Sequence, residues 1–423
     1  MSSDSIIREL SCADDYDPNS MPVPKAREVI AKFLSPVGTV ERVSVRAALG
    51  RVLAEDVISP LDVPSHDNSA MDGYAVRHAD LKQNGKVTLK MTGSSFAGAP
   101  FHGTVSAGEC VRIMTGGVVP QGTDTIVMQE HVEAAGDSIT IGAGHKQGQN
   151  LRKAGEDLQR GQPALRRGQT LRPAEIGLIA SLGVAEVSVY RRLRVAFFST
   201  GDELVSIGSP LGEGQIYDSN RYTLYGMLTR MGFEVLDMGV VRDDPALLEK
   251  AFRDAAATAD VVITSGGVSV GEADFVKVLL NKLGEVVFWK IAMKPGRPLA
   301  YGKIGNAHFF GLPGNPVSVM VTFYQFVRDA LLKLSGRDPV DALPTFKVPC
   351  TSTLKKAPGR TEFQRGILSR DANGNLTVRV TGEQGSGILR SMSEANCFII
   401  LPTEQGNVTP GTLVEVQVLE GVI

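Results

Sequence analysis

The sequence predicts a multidomain α/β plus β protein: a central doubly wound α/β domain, a small β-rich domain, a discontinuous mixed domain and a C-terminal β domain. Three observations predict it. Between Arg194 and about Leu334, apolar strand-like runs alternate regularly with amphipathic helical segments, the pattern of a parallel sheet covered by helices on both faces. On either side, over 61–148 and 338–423, glycine and short apolar runs dominate, as in small domains of short strands and turns. The mixed character of residues 21–60 returns at 149–190, so those two segments are expected to share one discontinuous domain. A chain of 423 residues has room for two to four domains.

The elements follow in order. Residues 1–20 are polar and acidic, without the basic region and apolar run of a signal peptide, and are expected to form a loose tail. From Val23 to about Ser59 the pattern is helical, with Ala26, Val29, Ile30 and Phe33 at helix spacing until Pro60 and Pro64 break the chain. VTLKMTG, CVRIMTGG and DTIVMQE are short strands. A helix is expected near Pro173–Leu182, ended by Gly183.

The central domain, 191–337, opens with the buried strand RVAFFST. A helix over Ser219–Met231 carries Leu224, Leu228 and Met231 on one face, and FEVLDMGV is the next strand. Asp244 caps a helix with Pro245 at its first position and Leu248, Phe252 and Ala255 as its stripe. DVVIT is a strand, and a helix over Glu272–Leu283 closes at Gly284. Strands EVVFWKIA and HFFGL follow. The last helix begins at Asn315–Pro316 with Val317, Val321, Tyr324, Val327 and Leu331 along it. In the C-terminal domain Asn373–Gly374 marks a hairpin.

Charged residues make up 21% of the chain and the formal net charge is −2, which argues against a broad electrostatic grip on nucleic acid or an anionic membrane. Any bound anion must be held by a local site. Cys12, Cys110, Cys350 and Cys397 form no C-x-x-C and meet no His pair at metal spacing, so reduced thiols of a cytoplasmic protein are expected. No apolar run approaches the ~18 residues that span a bilayer.

In an open α/β sheet, ligands bind at the carboxyl ends of the strands. The segments that follow the strands here are Gly201-Asp202-Glu203, Val241 to Asp244, Ser265 to Asp274, Met293 to Pro298 and Pro313 to Pro316. Gly266, Gly267 and Gly271 allow a sharp turn and close backbone approach, and the loop feeds a helix N-terminus that suits an oxyanion. The alternative is a tight structural turn. The loop is neither a Walker loop nor a dinucleotide fingerprint. Glu203, Asp243 and Asp274 would repel an anionic ligand unless a hard divalent ion such as Mg²⁺ joined carboxylate and phosphate oxygens. Lys290, Lys294 and Arg297 offer fixed positive charge at the same sheet edge. Each alone is a surface charge; together they suggest a site. Thr115, Arg365 and Ser386 sit at glycine-flanked strand ends, where they either reach an anion or cap a turn.

The motifs DNSAMDGYAV, IMTGG, GEDL, FSTGDEL, GQIYDSN, SGGVSVGEAD, KPGRP and GLPGNPVS occur in this order. Together they resemble the molybdopterin molybdenumtransferase family, which includes the E domain of gephyrin and of its plant counterpart. The likeness runs from about Val23 to the C-terminus. It implies an elongated homodimer of four-domain chains that accepts adenylylated molybdopterin and molybdate, hydrolyses the adenylate with Mg²⁺, and releases AMP and the molybdenum cofactor. The separate molybdopterin adenylyltransferase and recipient molybdoenzymes or their chaperones are the partners it implies; nucleic acid and membrane are not.

The resemblance also implies roles for Asp72, Thr115, Asp157, Asp243, Lys290 and Lys294 in catalysis, and for Glu203 and Asp274 as metal ligands. Ser265, Gly266, Gly267, Ser269, Gly271 and Asp218, with Pro313, Gly314, Asn315 and Pro316, correspond to the nucleotide and pterin cradle. Lys294, Ser386 and Arg360 or Arg365 are the molybdate candidates. Arg297 stands where many relatives have Lys, a planar fork in place of a point charge. A stand-alone adenylyltransferase would be far smaller, and a receptor-clustering scaffold would carry a fused adenylyltransferase domain and a long linker. The flanking β domains and DNSAMDGYA favour the molybdenum-inserting enzyme.

Overall fold

The computed structural model describes residues 21–267 and 274–419. Its centre is a six-stranded sheet in the order 234–241, 194–200, 261–265, 307–312, 298–304, 284–290. The first four strands run parallel, and the last two pairings are antiparallel, so strand 298–304 alone runs against the other five. The expected parallel sheet is therefore mixed at one edge. Strand Pro298–Ile304 was not foreseen, and only Gly305 and Asn306 separate it from strand Ala307–Leu312. Two residues can close a hairpin but cannot carry the crossover a parallel neighbour needs. Gly284 likewise does not close the preceding helix; it opens strand Gly284–Lys290. A Cβ there would lie 1.9 Å from the Lys303 carbonyl oxygen, so close strand pairing is what requires the glycine.

Strand residues alternate between the two faces of this sheet. Val195, Phe197, Val261, Ile263, Phe310 and Leu312 pack with Leu224, Leu228, Val317 and Leu331. Ala196, Phe198, Val262 and Phe309 face the other way, onto Leu248, Phe252, Ala255 and Leu280. Helices therefore cover both faces and leave the strand ends open. The last helix is interrupted: Pro316–Thr322 passes through a wide turn at Phe323–Val327 into Arg328–Leu334.

The first segment differs from its reading. Helix Val23–Lys32 ends early, and Val40–Ser44 is a strand paired antiparallel with Glu186–Tyr190. Its partner lies far along the chain, so local periodicity could not reveal it. The helix itself buries Val23, Ala26, Val29 and Ile30 in the core of the central sheet, not with the segment that follows it. From Val40 onward the first segment does pack with the later one: Ala48, Leu53 and Val57 share a core with Leu165, Ile179, Leu182 and Val187.

The β-rich unit is a six-stranded sheet in the order 125–128, 73–76, 109–113, 87–95, 138–141, 132–135. The C-terminal sheet orders 293–294, 361–370, 397–401, 413–418, 345–349, with 376–380 beside 361–370. The hairpin at Asn373–Gly374 is present, with Asp371 Oδ1 accepting the N–H groups of Asn373 and Asn375. Strand Met293–Lys294 leaves the central domain and joins this sheet in parallel with Thr361–Glu362. Cys110, Cys350 and Cys397 are buried and unbridged. Among the described residues no helix is long and apolar enough to cross a membrane.

Candidate active site

A cleft of about 340 Å³ opens at the carboxyl ends of the central strands. It gathers Glu203, Asp243, Ser265, Gly266, Gly267, Gly314, Asn315 and Pro316 from four separate strand ends, and Asp218 from the start of helix Ser219–Arg230. Ser269, Gly271 and the Asp274 side chain lie outside the described residues.

The glycines at the start of the loop have steric reasons. Gly266 and Gly267 hold φ of +91° and +68°. A Cβ on Gly266 would sit 2.5 Å from the Thr200 carbonyl oxygen, and one on Gly267 2.9 Å from Thr200 Oγ1. No side chain fits between the loop and its neighbouring strand, so the backbone itself lines the cleft. Glu203 folds back over Gly201, where a Cβ would lie 2.5 Å from Oε2.

Two residues that sequence reasoning passed over organise the back wall. Asn220, 8% exposed, donates from Nδ2 to Ser265 Oγ at 2.8 Å and to the Gly314 carbonyl at 2.6 Å. It thereby ties the glycine loop to the Pro313–Pro316 loop. A carbonyl can only accept, so Nδ2 must face Gly314 and Oδ1 must face away. The signal was present in GQIYDSN, because Asn in a first helical turn is a weak helix former that needs a local reason. Thr200 is the second. Asp218 caps helix Ser219–Arg230 by accepting the Arg221 N–H at 3.1 Å. Asp218 Oδ2, Asn220 Oδ1 and Thr200 Oγ1 are buried with no protein partner. Unmet acceptors are costly in a closed core, but they are expected at the wall of a ligand site. Among the described residues no group of three His, Cys, Asp or Glu side chains forms a metal cage by itself. An ion here would need oxygens from the ligand.

Helix Pro316–Thr322 connects this cleft to a second group of residues. Its Val317 N–H donates to the Ser386 carbonyl at 3.1 Å. Gly296 of the KPGRP loop lies against it, with Thr322 Oγ1 2.5 Å from where a Cβ would be. Lys294 pairs with Glu362 at 3.4 Å. Arg365 differs from the expectation that it could face an anion: its side chain is fully buried. Its Nε donates to Ser391 Oγ at 3.0 Å and its Nη2 to the Gly385 carbonyl at 3.0 Å. Burial lowers its pKa to about 10. Arg365 therefore shapes the loop that presents Ser386, whereas Arg360 is exposed.

The MoeA N-terminal region (domain I and II) matches residues 21–183, a probable molybdopterin binding domain matches 196–333, and the MoeA C-terminal region (domain IV) matches 347–419. A molybdopterin molybdenumtransferase of Haemophilus influenzae is 50% identical over 89% of this chain and 93% of its own length. The chain belongs to the molybdopterin molybdenumtransferase family. A Nostoc relative of the same name is 36% identical over 95% of this chain and 97% of its own. The crystal structure of a molybdopterin biosynthesis moeA protein from Pyrococcus horikoshii superposes with a TM-score of 0.82 at 29% identity, covering 95% of this chain and all of that one.

The other residues that the resemblance implies lie scattered outside the cleft. Asp72 and Thr115 sit together in the β-rich unit: Asp72 Oδ1 accepts the Thr115 N–H at 2.7 Å and its Oγ1 at 2.8 Å. Those bonds hold the Asp72 carboxyl below its usual range, with the backbone bond the larger cause. The core of that unit is separate from those of the central sheet. The Asp157 N–H donates to the Val63 carbonyl at 3.0 Å, and the Lys290 carbonyl accepts the Met21 N–H at 2.9 Å. Arg297 is exposed, and its carbonyl accepts the Ile291 N–H at 2.7 Å. Pro313 is buried beside Gly314.

Proposed function

We propose that this chain inserts molybdenum from molybdate into adenylylated molybdopterin, hydrolysing the adenylate and releasing AMP and molybdenum cofactor. The observation that carries the reading is the joining of two sites by one short helix. On one side lies a glycine-walled cleft with carboxylates; on the other, Lys294 and the Ser386 loop. The cleft holds the nucleotide and phosphates against the Gly266–Gly267 backbone, with Asn220 fixing the two loops relative to each other. Lys294, Ser386, Arg360 and Arg297 supply charge and hydroxyl donors for the molybdate dianion. Placing the oxyanion next to the departing adenylate is a proximity device.

The donor set fits Mg²⁺. Glu203 and Asp243 share the cleft with an unpartnered Asp218 oxygen, and Mg²⁺ takes few protein carboxylates together with phosphate and water. Glu203, with Asp274, would hold it, and it would neutralise phosphate charge. Asp72, Thr115, Asp157, Asp243 and Lys290 assist in a cleft completed by a second copy, so the working unit is a cytoplasmic homodimer. It receives its substrate from a separate adenylyltransferase and passes its product to molybdoenzymes or their chaperones.

The test incubates the full chain with adenylylated molybdopterin and molybdate, with and without Mg²⁺. AMP is read by chromatography, and cofactor by reconstitution of an apo-molybdoenzyme. Mg²⁺-dependent AMP release with molybdate-dependent cofactor is expected. AMP without cofactor would restrict the chain to adenylate hydrolysis, and release of neither would reject the reading.

A further inference from the structure

The group assigned above to molybdate contains an anion of its own. Lys294 Nζ lies 3.4 Å from Glu362 Oε1; the lysine side chain is 50% exposed and the glutamate 6%. Register puts them there, because Met293–Lys294 pairs in parallel with Thr361–Glu362. The other glutamate oxygen accepts from Gln364 Nε2 at 3.1 Å, which anchors the carboxylate.

Two further cations belong to the same group. Lys356 is only 5% exposed, and its Nζ donates to the Ala357 carbonyl at 2.8 Å. Burial lowers its pKa. Glu362 and, more weakly, Glu404 oppose that shift, while Lys294 and Arg360 add to it. Lys294 is thus paired with a buried carboxylate whose charge also acts on Lys356. Cations that act on one another without an anion destabilise each other, and a buried unpaired ammonium is costly. Glu362 relieves both.

We propose that Glu362 is an internal competitor for the oxyanion, occupying Lys294 in the empty pocket and yielding it to a tetrahedral dianion. The proposal rests on the assignment of Lys294 to molybdate. A dianion carries more charge than one carboxylate and can approach the exposed side of Lys294. Glu362, held by Gln364, stays close enough to repel it. Glu362 therefore keeps the cation group folded when empty and sets the oxyanion affinity below what three cations alone would give. A purely structural ion pair would act with the opposite sign, since losing it would loosen Lys294 and weaken the anion.

The test is Glu362→Gln in the full chain, which removes the charge at nearly constant shape. Molybdate and, separately, sulfate are titrated by calorimetry, with AMP titration and thermal unfolding in parallel. The expected result is molybdate binding tightened about three- to tenfold, the scale of one partly exposed ion pair plus lost repulsion. Sulfate should tighten as well, with AMP affinity unchanged. In Lys294→Ala, molybdate binding should weaken and the added Glu362→Gln should bring little recovery. Glu362→Asp keeps the charge but withdraws it from Lys294, so it should tighten molybdate less than Gln does. This variant also serves if the Gln protein does not fold. Weaker or unchanged molybdate binding in the folded variants, with Lys294→Ala still impaired, would overturn the competitor role and leave the pocket standing. Unchanged binding in Lys294→Ala would remove the pocket assignment itself.

Discussion

Asn220→Ala is the sharpest test of how the cleft is built. The amide makes two buried bonds, to Ser265 Oγ at 2.8 Å and to the Gly314 carbonyl at 2.6 Å. Each is worth about 1 kcal/mol net, and the carbonyl left without a donor adds a desolvation cost, so the variant should lose about 2–3 kcal/mol. For a domain of this size that corresponds to a fall of roughly 5–10 °C in melting temperature. The functional effect should exceed the stability effect at temperatures where the protein is folded. Asn220 is the strut between the two loops that face the nucleotide, so AMP affinity should fall at least ~tenfold, the equivalent of one charge-assisted contact. Asn220→Asp should be worse than Ala, because a carboxylate would place an acceptor against the Gly314 acceptor and add charge beside Asp218. Thermal unfolding and AMP titration on the same preparations provide both readings. If Asn220→Ala melts within about 1 °C of wild type and binds AMP equally well, the strut has no role and the loops are held by other contacts.

Four further outcomes are expected. Arg365→Met should lower the melting temperature by several degrees, by emptying the bonds to Ser391 and Gly385. Arg360→Ala should leave the melting temperature intact and raise the molybdate requirement, and equal melting of the two variants would contradict their placement. Mixing inactive Asp72→Ala and Asp274→Ala chains should restore activity at one of two clefts, because Asp72 lies in a unit whose core is separate from the cleft's; no recovery after verified subunit exchange argues against a shared cleft. His308, buried beside Tyr301, has its pKa pushed down to about 4, with burial the main cause. The unfolded chain, with an ordinary histidine pKa of ~6.5, binds the extra proton first, so this contribution is whole above ~6.5 and is lost as pH falls toward about 4. The difference amounts to about 3 kcal/mol. His308→Gln should flatten the stability profile across that window, and an unchanged slope would assign the acid sensitivity elsewhere.

Local chemistry in the chain was enough for several parts of this protein. The alternation of RVAFFST, the Asp244–Pro245 helix start and DVVIT was legible because strand and helix periods are local properties, and the sheet they form opens its carboxyl ends onto the glycine loop. Gly266 and Gly267 could be flagged from the same pattern. The order of so many motifs also pointed to the family, independently of any contact. What the sequence left open depended on partners distant along the chain. Val40–Ser44 is a strand only because Glu186–Tyr190 lies beside it, and helix Val23–Lys32 joins the central core only because its apolar face meets that core. Pro298–Ile304 took its direction from a two-residue connection. Arg360 and Arg365 were indistinguishable as letters in one segment. Tertiary burial separated them, because Arg365 lies within strand Thr361–Arg370 and its guanidinium was enclosed with Ser391 and Gly385, whereas Arg360 precedes that strand and stayed exposed. The same strand pairing set Glu362 against Lys294, since register alone decides which charges across a sheet become neighbours.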